Sequence, residues 1–160
     1  MMNFVQPKRE HVPLSATPGS RQFGAMQIQG YDHVGIRVSD RQRALEFYAK
    51  LGFTLDPEFS NERAAEILAA DGTRINLIFN GVAQSMAHNV LLDEPVKLPG
   101  YTHAAFIVDR LDDLLAWAAR EEVAVTEGPV DWDRRMTCFI RDPDGNVLEF
   151  NELKSPAPRQ

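Results

Sequence analysis

Three side chains in this sequence could together hold a catalytic metal: His33, His103 and Glu149. Neutral imidazole and carboxylate are good ligands for first-row divalent ions. Two histidines plus one carboxylate leave coordination positions open for water or substrate, the arrangement of catalytic iron sites and some zinc sites. The amide oxygen of Asn76 is a weaker fourth donor. A lone strand histidine is usually an ordinary strand residue. Here two of them stand at equivalent places in a repeat, and that favours the metal reading. Tyr31-Asp-His-Val-Gly-Ile-Arg-Val38 matches Tyr101-Thr-His-Ala-Ala-Phe-Ile-Val108, and Asp71-Gly-Thr-Arg-Ile-Asn-Leu77 matches Asp144-Gly-Asn-Val-Leu-Glu-Phe150. Internal repetition of this kind marks one structural unit used twice.

Each copy reads as strand, helix and three further strands. Copy one continues with a helical pattern that Asp40 caps and Gly52 ends, then strands at Leu51–Phe59, Glu62–Ala70 and Arg74–Asn80. Copy two has Asp109 as its cap, then strands at Val123–Pro129, Arg135–Arg141 and Asn146–Glu152. Glu62–Ala70 is alanine-rich and reads as helix on propensity alone; its counterpart Met136–Ile140 makes strand the better assignment. Asp-Gly before an alternating run signals a hairpin in both copies.

Side chains alternate faces along a strand. Val34, Ile36 and Val38 therefore oppose His33, Gly35 and Arg37, and Ile75, Leu77 and Phe79 oppose Asn76, Ile78 and Asn80. In copy two Ala104, Phe106 and Val108 oppose His103, Ala105 and Ile107, while Leu148 and Phe150 oppose Glu149 and Asn151. One face of each sheet is apolar and belongs under its helix. The other is too polar for a sealed core and should line a cavity. Two copies facing each other across a pseudo-twofold axis place His33 near His103 and Asn76 near Glu149. Arg37, on the His33 face, has the planar fork that clamps a carboxylate.

The expected architecture is α+β: two repeated βαβββ modules forming a curved mixed sheet around a central metal cavity, with helices on the outer face. Residues 1–25 read as a flexible N-terminal arm, 26–80 as the first module, 81–100 as a linker, 101–154 as the second module and 155–160 as a tail. His11 falls in the arm and His88 in the linker; neither is given a role.

Composition narrows the function classes. The chain has 160 residues, 44% of them hydrophobic and 25% charged, which suits a packed globular unit. Its net charge of −6 disfavours nucleic acid and anionic membranes as partners. No apolar run is long enough to span a bilayer, and no apolar leader opens the sequence. The one cysteine, Cys138, precludes an internal disulfide and reads as a packing residue in a reducing compartment, so the cytoplasm is the expected location.

Asp32-His33-Val34, the helix Ala44-Leu-Glu-Phe-Tyr-Ala-Lys-Leu-Gly-Phe53, Gly100-Tyr-Thr-His103 and Arg141-Asp-Pro-Asp-Gly-Asn-Val-Leu-Glu-Phe150 resemble the vicinal oxygen chelate superfamily over roughly residues 28–153. That superfamily includes glyoxalase I, extradiol dioxygenases, fosfomycin-resistance transferases and metal-free bleomycin-binding proteins. The resemblance implies one divalent ion per site (Zn, Ni, Co, Mn or Fe) on His33, His103 and Glu149, with Asn76 at the fourth ligand position. Glyoxalase I generally has a glutamate there. It also has an arginine and an asparagine where Arg37 and Asn80 stand, holding glutathione's γ-glutamyl carboxylate.

The leading expectation is therefore a glyoxalase-like lyase or isomerase. It acts on a small substrate that chelates the metal through adjacent oxygens and reacts via an enediolate, with Glu149 as ligand and base. An Fe(II) or Mn(II) extradiol-type dioxygenase is the alternative, although copy two lacks the histidine and tyrosine such enzymes add after the second ligand. A metal-free binding protein is the third reading. Pairing of modules between chains would make a homodimer with its sites at the interface.

Overall fold

Alternation of apolar and polar residues drives the strands, and two short amphipathic stretches make the helices. The computed structural model describes residues 28–83 and 88–154. The expected arm at 1–25 with His11, the tail at 155–160 and part of the linker lie outside them. The elements run β1 (Val34–Arg37), α1 (Arg41–Lys50), β2 (Thr54–Asp56), β3 (Ala64–Leu68), β4 (Arg74–Ile78), β5 (His103–Val108), α2 (Leu111–Arg120), β6 (Val125–Asp131), β7 (Arg135–Arg141) and β8 (Val147–Leu153). This is βαβββ twice, as the repeat requires.

The strands form two four-stranded mixed sheets, ordered β1-β4-β3-β2 and β5-β8-β7-β6. In each, the first strand lies parallel to the last, which brings the two ends of a module together. Val34 is paired with Ile75 and Gly35 with Asn76; His103 is paired with Val147 and Ala105 with Glu149. The alanine-rich segment is indeed a strand, β3, antiparallel to both β2 and β4. Tertiary pairing overrides its helical propensity.

Helix α1 begins at Asp40, whose carboxylate accepts the Arg43 amide at 2.8 Å, and ends before Gly52 at φ +92°. The second helix departs from expectation. Its N-cap is Arg110 without a side-chain cap bond, not Asp109. The free Leu111 amide instead donates to Glu152 of β8 at 2.7 Å, so a strand carboxylate does what a local cap usually does.

The apolar faces and helices build one continuous core. Ile36, Phe47, Tyr48, Ile67, Ile75 and Leu77 from the first module join Leu111, Leu114, Cys138, Ile140, Leu148 and Phe150 from the second. Edge-to-face contacts cross between modules, Phe47 to Trp117 at 6.2 Å and Phe53 to Phe106 at 5.9 Å between ring centroids. Polar ties cross it too. The Tyr48 hydroxyl donates to Asp142 at 3.1 Å, the Ser39 amide and the Arg43 guanidinium donate to Asp144, and the Asn146 amide donates to the Arg37 carbonyl. No helix among the described residues is long and apolar enough to cross a membrane.

Candidate functional site

The faces turned away from this core carry the polar side chains. On the second sheet His103 and Glu149 come together. His103 Nε2 lies 2.8 Å from Glu149 Oε2, while the Thr102 hydroxyl stands 2.9 Å from the other ring nitrogen, Nδ1. Glu149 is itself held: its Oε1 accepts from Asn151 Nδ2 at 2.8 Å, and Asn151 Oδ1 accepts the Thr137 hydroxyl at 2.6 Å. Asn151 and Thr137 are 3% and 1% exposed, so this chain is fixed by burial as well as by hydrogen bonds. Phe139 stands opposite Glu149 in the register and packs edge-on against the His103 ring at 5.7 Å. Thr137 in turn limits its neighbour β6. A Cβ on Gly128 would lie 2.5 Å from the Thr137 carbonyl, so only glycine fits where the β6–β7 register shifts.

Beside the first sheet His33 is oriented by Asp32, with Nδ1 3.0 Å from Oδ2, so that Nε2 is the ring nitrogen not engaged by this contact. A carboxylate behind a histidine fixes its tautomer and raises its basicity toward a metal. Asn76 lies one strand over. Its Oδ1 is buried without a hydrogen-bond partner, an unusual state for an amide oxygen and one that a cation would relieve. Arg37 Nε donates to Asn80 Oδ1 at 2.8 Å, so the two expected substrate-binding residues touch.

Within one chain His33 does not join His103 and Glu149. Among the described residues no three His, Cys, Asp or Glu side chains converge as a metal-binding group. Each sheet instead presents half of the expected donor set: imidazole with an amide oxygen on one, imidazole with a carboxylate on the other. The chemistry of the donors fits a first-row divalent ion, and the contacts behind His33 and Glu149 are of the kind that orient such donors.

The sequence model of the glyoxalase/bleomycin resistance protein/dioxygenase superfamily matches residues 30–150. The chain belongs to this superfamily. Virulence protein STM3117 of Salmonella typhimurium is 31% identical over 133 residues, covering 79% of this chain and 86% of the relative. A glyoxalase/dioxygenase from Nostoc punctiforme has the same fold, with a TM-score of 0.67 at 19% identity over 90% of this chain and 99% of its own. So has TnmS3, an antibiotic-binding protein from Streptomyces sp. CB03234, with a TM-score of 0.60 at 23% identity over 81% of this chain and all of its own (100%). The same fold thus serves a glyoxalase/dioxygenase and an antibiotic-binding protein, and the choice between such roles rests on the side chains.

Three supporting residues are not evident from the sequence: Asp32, Thr102 and Thr137. Asp32 and Thr102 each precede a candidate ligand histidine, which was the available signal. Thr137 sits on a middle strand, where the cross-strand register reveals what it lies beside.

Proposed function

We propose that this chain is a divalent-metal-dependent, glyoxalase-like lyase or isomerase. It works as a homodimer in which the first sheet of one protomer faces the second sheet of its partner. The observation that carries the reading is the convergence of His103 Nε2 and Glu149 Oε2 at 2.8 Å, with Glu149 braced by Asn151 and Thr137. A protein that only sequestered an apolar ligand would have no use for a braced pair of donors.

In this reading His33, His103 and Glu149 hold the ion, with Asn76 beside them. When bound, the metal supplies Lewis acidity to a substrate with two adjacent oxygens. Glu149 Oε2, giving up its ligand role to do so, would remove the proton next to the carbonyl and return it to the neighbouring carbon, while the hydroxyl proton passes between the two adjacent oxygens. Asn151 keeps the carboxylate aimed through Oε1 while Oε2 works. Arg37, with Nε tied to Asn80, keeps its terminal nitrogens for a substrate carboxylate. Phe139 supports this over ring cleavage, because the position opposite Glu149 offers a ring with no acid or base. The single cysteine, buried at Cys138, suits a cytoplasmic setting.

Elemental analysis of protein purified without a tag or chelator tests the proposal, alongside His103→Ala. Expected is about one Zn, Ni, Co or Mn per site, lost in the variant. Iron with oxygen consumption would replace the lyase with a dioxygenase. No metal after reconstitution would leave a binding protein.

A further inference from the structure

Glu66 has no role in the reading above, yet among the described residues it is the one carboxylate buried on the His33 face. The register sets it there: Glu66 on β3 is directly opposite Asn76 on β4, and Asn76 is opposite Gly35 on β1, two residues from His33. It is 7% exposed. Its Oε1 and the neighbouring Asn76 Oδ1 are both buried acceptors without a hydrogen-bond donor. The nearest positive charge is Arg74, whose Nη1 stands 3.5 Å from Glu66 and 3.7 Å from Asp32. Arg74 is long and half-exposed, a counterion able to move away.

Comparing the two modules sharpens the point. In the second, the position on the last strand carries the carboxylate, Glu149, and the position opposite on β7 carries Phe139. In the first, the last strand carries a neutral amide, Asn76, and the position opposite on β3 carries the carboxylate, Glu66. The same paired positions thus hold one carboxylate in each module, moved by one strand. Two buried oxygens at paired positions, the Asn76 one without a donor and the Glu66 one facing only the Arg74 guanidinium at 3.5 Å, form a spot suited to a cation, and carboxylate and amide oxygens are acceptable ligands for first-row divalent ions.

We propose that Glu66 is a further protein donor of the metal site, supplying from β3 the carboxylate that position 76 lacks. The inference rests on the metal-site reading. With Glu66 and Glu149 each contributing one negative charge, the site balances a divalent ion, and Arg74 neutralises Glu66 while the ion is absent.

The test is a chelator-competition titration with Zn(II), and the visible spectrum of the Co(II) form, on wild type, Glu66→Gln, Arg74→Met and His103→Ala. Glu66→Gln is expected to weaken Zn(II) binding by roughly ten- to a hundredfold and to alter the Co(II) bands. Arg74→Met, by removing the competing cation, is expected to tighten it. Unchanged affinity and spectrum in Glu66→Gln, with only the metal-free protein less stable, would show a structural partner of Arg74 and overturn the assignment. Should Glu66→Gln not fold, weaker or unchanged binding in Arg74→Met overturns it equally. Failure of the wild type to bind metal, or retention by His103→Ala, would instead bring down the metal site as a whole.

Discussion

Thr137 touches no expected ligand, yet the aim of Glu149 depends on it. Its hydroxyl donates to Asn151 Oδ1, and Asn151 donates to Glu149. Thr137→Val keeps the shape and removes the hydroxyl, so a buried amide oxygen loses its donor. The expected cost is about 1–3 kcal/mol of stability by urea unfolding, with a roughly tenfold loss of metal affinity as Glu149 loosens. A variant as stable as wild type and equally tight for metal would show the chain to be incidental. Residues of this kind mark where reading from sequence ran out. His103 and Glu149 were legible because each sits in a repeated motif and strand alternation fixes its face. The places of Thr137 and Glu66 were not, because what a middle-strand residue lies beside follows from pairing across strands, and one strand's pattern does not print its neighbour's register.

The turn between β7 and β8 shows the same division at the scale of elements. The repeated Asp-Gly pair foretells a hairpin, and Asp142 does organise it, accepting the Asp144 and Asn146 amides at 2.9 Å each. What the pattern does not foretell is that Asp142 is buried and also takes the Tyr48 hydroxyl from α1 of the other module. Likewise the cap at Asp40 is local and legible, whereas the role expected of Asp109 passes to Glu152, distant in sequence. Burial pushes the Asp142 carboxyl above its ordinary value, against the lowering by its hydrogen bonds to Asn146, Asp144 and Tyr48. Folded protein therefore holds this proton to higher pH than unfolded chain does. The contribution of Asp142 is greatest below the unfolded value, about 4, and falls as pH rises through the folded one. Exposed Asp93, lowered by its hydrogen bonds from Arg141 and the Asn89 amide, contributes in the opposite sense, losing its share as pH falls. In Asp142→Asn the first contribution is gone. The stability difference, wild type minus variant, should shrink as pH rises from 4 toward 7 in urea titrations, and a difference that grows would refute the assignment.

For the whole molecule, the decisive feature is that one core joins the modules while their polar faces stay apart. Phe47, Phe53, Trp117 and Phe106 bind the modules edge to face, and Tyr48, Ser39 and Arg43 reach across to the β7–β8 turn. That packing uses the apolar faces and leaves His33 and His103 on separate surfaces. Ile107, on the His103 face, is 70% exposed, and Tyr101, two residues before that strand, is 98% exposed, apolar area that a second protomer would cover. The repeat foretold both modules and the face on which each sheet carries its polar side chains; the pairing of those faces was open, because an internal twofold and a dimer present the same sequence. Mixing variants separates the two. A His33→Ala protomer and a His103→Ala protomer, unfolded together and refolded, give half heterodimers if assembly is random. In each heterodimer one interface joins the intact first sheet of the His103→Ala chain to the intact second sheet of the His33→Ala chain, and the other carries both lesions. Sites shared between protomers therefore predict recovery of about a quarter of wild-type metal content from two inactive parents. Sites built within single chains predict none, since every chain in the mixture carries one lesion.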